Sequence, residues 1–269
     1  MALFGTRSRM LSARRRPFTL PVVSANWLKN AGAILTFVYF FGLTVIQNGI
    51  LHASDYTSQE FNELIMTDNN AFMLAGIANV CFLVGVAAIP IYAYLLVQGI
   101  LNTSSIKKYA LTVLIFAVIS EVPYDLAVSG KFFNFEDQNV LFTVFIALIM
   151  LWLLKTFEGK GAGPKLICLL ITAGGCFWAM VLGCKFGGGF VLITAILFLF
   201  REKKGWSILL ALFVSLIYAT ALFGFAPVAL YSGERKNLEK KGSKYFYYAF
   251  YPAMLLIFAV AVFFLNNRG

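Results

Sequence analysis

Residues 114–154 read "LIFAVISEVPYDLAVSGKFFNFEDQNVLFTVFIALIMLWLL", two apolar runs joined by a segment too polar to share their surroundings. Between the runs fall Glu121, Asp125, Glu136 and Asp137, together with Pro123, Gln138 and Asn139. Both runs have the composition of membrane-crossing helices. An ionisable side chain within such a helix is costly and ordinarily faces a cavity or a partner. Glu121 and Asp125 therefore need a physical reason to stand where they do.

The same kind of run recurs along the chain. Of the 269 residues, 60% are hydrophobic and 13% charged, against about 25% charged in an ordinary soluble domain. Mean hydropathy is +0.81. Stretches of roughly 20 apolar residues, enough to cross a hydrocarbon core of about 30 Å, lie near 28–50, 71–101, 108–128, 139–157, 165–184, 186–200, 206–223 and 245–265. The prediction is an all-α polytopic transmembrane bundle of about eight spans, with a basic arm over 1–26 and a single transmembrane domain over 27–269.

A net charge of +10 would suggest nucleic acid in a soluble protein, but its distribution points to a bilayer and to no nucleic-acid partner. Arg7, Arg9, Arg14, Arg15 and Arg16 precede the first span, Lys107 and Lys108 follow the second, Lys155, Lys160 and Lys165 follow the fourth, and Arg201, Lys203 and Lys204 follow the sixth. The loop from His52 to Asn70 carries Asp55, Glu60, Glu63 and Asp68 and no Lys or Arg. This alternation follows the positive-inside rule and predicts a multi-pass plasma-membrane protein with a cytoplasmic N-terminus. One segment disobeys: "GERKNLEKKGSK" (Gly233 to Lys244) is cationic yet falls outside by simple counting. A re-entrant hairpin or two short spans over 206–231 would return it to the inside.

Other motifs set limits. "RRRPFTLPVVSAN" has two prolines and a short apolar stretch, a poor signal-peptide core, and reads as an uncleaved basic arm. Cys168, Cys176 and Cys184 lack the close pairs of a zinc site and read as buried thiols; no metal is expected. "GKGAGPK" lacks P-loop spacing, and "KFGGG" reads as a tight turn between helices. In the acidic loop, Thr57 and Glu60 have capping-box spacing, which places Phe61, Leu64 and Ile65 on one face of a short interfacial helix.

The polar groups of the spans fall into two sets. Glu121 and Asp125, at i and i+4, share a helix face, although Pro123 should bend or end that helix. Adjacent acids without a base between them repel, so one tends to retain its proton, a state suited to general acid–base work. A carboxylate pair at a helix end equally suits a structural role, and Gln138 and Asn139 equally suit a helix cap or a substrate site. On the opposite side, Gln98, Asn102 and Thr103 end the second span and Lys107 and Lys108 follow. Uncharged donors beside two cations suit a phosphorylated cofactor, or a helix C-terminus whose lysines offset the dipole and meet anionic lipid.

The run "IPIYAYLLVQGILNTSSIKKYALTVLIFAVISEVPYDLA", followed by "QNVLFT", resembles the TraX family, conjugal-transfer proteins related to the F-pilin acetylase. "FGGGFVLI", "LYSGER" and "YFYYAFYPAMLL" extend the resemblance over nearly the whole chain. It implies a multi-pass membrane acyltransferase, taking an acetyl group from acetyl-CoA to an amine of unidentified acceptor. Tyr39 and Phe40 stand where the family has an Asp-His pair, and Asn102 stands for a His before Thr103. Asp137 and Met254 replace two further histidines, and Lys185 replaces an acid; the only histidine, His52, falls elsewhere.

Three functions follow. In an acyltransferase, acetyl-CoA binds near Asn102, Thr103, Lys107 and Lys108. Gln98, Gln138 and Asn139 contact substrate, and Glu121 or Asp125 acts as base from a polar chamber. A degenerate relative would instead be a non-catalytic assembly or binding subunit. A small-molecule transporter would use the acids for proton coupling and requires broken helices in two matching halves, but no inverted repeat is evident.

Overall fold

The computed structural model describes residues 23–231 and 243–267. The arginines of the basic arm and the cationic 233–242 stretch lie outside the described residues. Among the described residues the fold is all-α, with two isolated β-bridges, Val23 to Tyr231 and Gln138 to Cys184.

Ser24 caps the first helix, α1 (Ala25–Phe40), which continues as a π-helix over Phe41–Ile50. Gly42 lets this segment press on the next span, since a Cβ there would stand 2.6 Å from the Cβ of Cys81. After a 3₁₀ turn at Ala53–Asp55 comes α2 (Ser58–Thr67). The capping box is present: Thr57 N–H donates to Glu60 Oε2 at 2.8 Å, and Glu60 N–H donates back to Thr57 Oγ1 at 3.4 Å. Phe61, Leu64 and Ile65 pack on Ile46, Leu51 and Ala71, the face the spacing predicts.

Two helices, α3 (Asn69–Gly85) and α4 (Ala88–Asn102), form one long crossing broken at Val86–Ala87. Next come α5 (Ile106–Ser129), α6 (Val140–Phe157), α7 (Ala162–Val181) and the shorter α8 (Gly187–Leu199). Pro123 does not end α5, which runs through it to Ser129. A proline frees one carbonyl and removes one donor, a loss that packed membrane helices tolerate. Lys107 and Lys108 also differ from expectation. They lie in the first turn of α5, after the Ser105 cap, rather than at the end of α4. The dipole there disfavours cations, and both side chains are exposed to other partners.

The chain then forms α9 (Lys204–Ser215), a 3₁₀ segment (Leu216–Gly224), the short α10 (Phe225–Ala229) and finally α11 (Ser243–Asn266). The backbone leaves helical geometry at Tyr218 and Ala219, where Ala219 has φ 51°. Lys204 Nζ donates to the carbonyls of Ala229 (3.1 Å) and Tyr231 (2.9 Å), so both ends of 204–231 lie at the same end of the bundle. This is the hairpin that the misplaced cationic segment calls for. Its tip is pinned where Tyr218 donates to Phe186 O and Thr220 donates to Leu83 O. At Gly224 the hairpin meets Ala87 O so closely that any Cβ would clash.

Among the described residues, seven helical segments, the 204–229 hairpin one of them, are long and apolar enough to cross a membrane, and Gly187–Leu199 is a shorter apolar one. One end of the bundle carries Lys107, Lys155, Lys160, Lys165 and Lys203, and is called the basic end. The other carries Asp55, Glu60, Glu63 and Asp68, and is called the acidic end. Phe40, Tyr124, Phe190, Phe198 and Leu255 are fully buried. Lipid tails are as apolar as these side chains, so their contribution is close packing more than release from water.

Candidate active-site cavity and the carboxylate clamp

α5 ends at Gly130, whose φ of +67° suits glycine, and the chain turns back along the helix it has just left. Asn134 N–H donates to Asp125 Oδ2 at 2.8 Å. Asn139 donates its side chain to Ala117 O at 2.9 Å and to Glu121 Oε2, and its N–H to the same oxygen at 3.3 Å. Its own Oδ1 accepts from Leu141 N at 2.9 Å and so caps α6. Gln138 pairs through its backbone with the α7–α8 turn, accepting from Lys185 N and donating to Gly183 O, both at 3.0 Å.

These bonds answer the question of the two acids. From Asn134 to Asn139 the backbone is non-helical but lies beside the body of α5. At such depth every backbone polar group needs an internal partner. Glu121 and Asp125 supply acceptors, and a carboxylate accepting N–H bonds is better placed than one left in hydrocarbon. The i, i+4 face is as expected, and it holds the α5–α6 connection in place.

A cavity of about 490 Å³ lies beside this clamp, within the range typical of small-molecule sites. Gln98, Asn102, Thr103 and Lys29 line it at the basic end, and Tyr39, Phe40, Phe190, Val140 and Tyr251 line its inner part. Along α4 it reaches from Asn102 to Ala88, a rise of roughly 21 Å. Tyr92 and Thr36 meet across it at 3.3 Å. Lys29 stacks over the Tyr247 ring, 5.5 Å from its centroid. Of the predicted site residues, Gln98, Asn102 and Thr103 share this cavity. Lys107, Lys108, Glu121, Asp125, Gln138 and Asn139 are not part of its wall.

The carboxylates stand one layer behind. Glu121 is an electrostatic neighbour of Tyr251, as are Tyr124 and Tyr39, and Phe40 packs edge-on against Tyr124 and Tyr251. Among the described residues, three buried polar atoms in this layer have no hydrogen-bond partner, Glu121 Oε1, Asp125 Oδ1 and Tyr124 Oη, while Tyr251 Oη lies in hydrogen-bonding reach of the Val140 backbone at the start of α6. Unpaired buried polar atoms cost roughly 1–3 kcal/mol each, so such a cluster marks a place built for more than packing. The tyrosines were absent from the sequence-based site. Phenols inside apolar runs, as in "IYAY" and "FYPAM", are the signal that would have found them.

Some of the positions at which the resemblance implies other residues lie here. Tyr39, Phe40 and Asn102 line the cavity. Asp137 acts electrostatically on Tyr39, Tyr124 and Lys185. In the α7–α8 turn, burial lowers the Lys185 ammonium from its ordinary range, while Asp137 opposes that shift. Met254 is buried in the core, and His52 lies in the acidic-end loop away from the cavity lining.

Fold and site together define a multi-pass helical membrane protein with an elongated aromatic cavity bordered by polar groups at its basic end. Within that class, the chain belongs to the TraX family: the family described as TraX protein matches residues 63–262, from α2 into α11. No curated protein and no solved structure gives a significant match.

Proposed function

We propose that the protein is a membrane-embedded acyltransferase of the TraX type, with its basic end and N-terminus facing the cytoplasm. The cavity between Asn102 and Tyr251 carries this reading. Its length suits the slender arm of acetyl-CoA, threaded thioester-first past Gln98 and Thr103. The charged nucleotide stays at the mouth, within reach of the exposed Lys107 and Lys108. No metal takes part in the proposed reaction.

At the inner end the thioester meets Tyr251, beside the N-terminus of α6. The Tyr251 hydroxyl donates to the carbonyl oxygen, and the helix dipole favours the charge that develops there. The acceptor amine attacks the carbonyl carbon, the N–C bond forms, and the C–S bond breaks. The amine's proton passes through the Tyr251 layer to the unpartnered oxygen of Glu121, one layer behind the wall, and Glu121 returns it by the same route to the departing sulfur, so that CoA leaves as the thiol. Glu121 is the base and Asp125 positions the connection that supports it.

A non-catalytic binding subunit is the second reading, favoured because Glu121 Oε2 is already engaged by Asn139. The test is acetyl transfer from labelled acetyl-CoA to an envelope extract by purified wild-type, Glu121→Gln and Tyr251→Phe proteins. Transfer by the wild type that falls at least tenfold in both folded variants supports catalysis. Equal transfer by wild type and Glu121→Gln removes Glu121 as base, and acetyl-CoA binding without transfer favours the binding subunit.

A further inference from the structure

The connection between α5 and α6 presents three phenylalanines. Phe132, Phe133 and Phe135 are 68%, 65% and 86% exposed. In a water-filled loop this would be an aggregation hazard, but depth places the segment elsewhere. α5 has 24 residues, roughly 36 Å at 1.5 Å per residue, against a hydrocarbon core of about 30 Å. Its last turns therefore cross the boundary between acyl chains and headgroups.

The connection does not rise away from that boundary. Asn134 is tied to Asp125, one turn below the end of α5, and Asn139 is tied to Ala117 and Glu121. The chain thus descends beside α5 over the distance from Ser129 to Ala117, roughly 18 Å along the helix axis. The three rings are borne on the upper part of that descent. The exposed apolar surface continues onto Val118 and Ile119 of α5. The Gln138–Cys184 bridge brings the end of α7 alongside, with Phe177 and Trp178 exposed. Trp and Tyr concentrate at the headgroup boundary of membrane proteins, and Phe belongs with the apolar faces that bury into the acyl chains just beneath it.

We infer that residues 131–135 are a lipid-inserted anchor, with Phe132, Phe133 and Phe135 seated among phospholipid acyl chains at the acidic end and Lys131 at the phosphate level. The Asp125 and Glu121 bonds hold this anchor at fixed depth.

The test places an environment-sensitive fluorescent amino acid at Phe133 or Phe135 of the full chain, reconstituted in phosphatidylcholine nanodiscs. Lys160, in the exposed basic-end connection, serves as the water-facing control. The anchor predicts blue-shifted emission at both phenylalanine positions, at least twofold quenching by shallow doxyl-labelled lipid, and little quenching by iodide. Iodide quenching equal to that at Lys160 would overturn it. Protection from both quenchers would also overturn it, by showing these rings covered by protein. If a label perturbs folding, photocrosslinking from p-azidophenylalanine at Phe133 gives the same decision, by lipid adducts or their absence.

Discussion

Asn139 donates to Glu121 from its backbone and from its side chain, joining the first residue before α6 to a carboxylate eighteen positions earlier on α5. One asparagine thus caps a helix, satisfies one oxygen of a half-buried acid and fixes the inner wall of the cavity, because Val140 and Leu141 follow it.

Asn139→Ala should be the most destabilising small change at the site. It removes a cap worth about 0.5–2 kcal/mol and leaves Glu121 and Ala117 O short of donors. Thermal unfolding in detergent should show a drop of several degrees, and Asn139→Asp should not restore stability because it sets a second carboxylate against Glu121. A wild-type melting temperature for Asn139→Ala would mean that the clamp contributes nothing.

Asp125→Ala should destabilise and Asp125→Asn should do so less. The alanine leaves the Asn134 N–H without its acceptor, a cost of roughly 1–3 kcal/mol for a buried group, while the asparagine keeps a carbonyl acceptor. Denaturation midpoints of the two variants, compared in one detergent, give the ordering. The reverse ordering would assign the Asp125 charge a separate role.

The 204–231 hairpin predicts a shared side for its ends. Cysteines placed at Lys203 and Ala229, both exposed, should react with a membrane-impermeant maleimide from the same face of oriented vesicles. Gly224→Leu should break that pattern, because a side chain there strikes Ala87 O. Labelling of the two positions from opposite faces would show a full crossing in place of a hairpin.

The acidic-loop helix α2 should fray in acid. Hydrogen bonds from the Thr57 backbone and side chain hold the Glu60 carboxyl below its ordinary value. A lowered folded-state value means stabilisation that is complete above the unfolded glutamate value of about 4.3 and is lost as pH falls through the folded one. Hydrogen exchange of the first turn of α2 should therefore accelerate relative to α5 on acidification. Thr57→Ala should show the fast exchange already at neutral pH.

Hydropathy made the helical segments legible, because apolar length is a one-dimensional property. The capping box at Thr57 was equally legible, being set by neighbouring residues, whereas the turn expected at "KFGGG" falls earlier, over 182–186, and its three glycines open α8. The cationic stretch from Gly233 even carried the hairpin, since its charge conflicts with a full crossing. The role of Glu121 and Asp125 was not legible. It depends on the chain turning back at Gly130 and lying along α5, which no local pattern encodes. Tyr39, Tyr92 and Tyr251 meet from three helices, so their cavity exists only after packing. Lys107 and Lys108 read as cations able to offset the C-terminal dipole of the span they follow, because Ser105, the cap that begins the next, lies only three residues beyond Asn102.

Titration of acetyl-CoA into the protein in nanodiscs tests the cavity most directly. Wild-type protein should bind with measurable heat, Ala88→Phe, which fills the cavity, should weaken binding at least tenfold, and paired Lys107→Ala and Lys108→Ala substitution should weaken it with reduced salt dependence. Unchanged affinity in a folded Ala88→Phe protein, or no binding to the wild type at millimolar acetyl-CoA, would contradict the account.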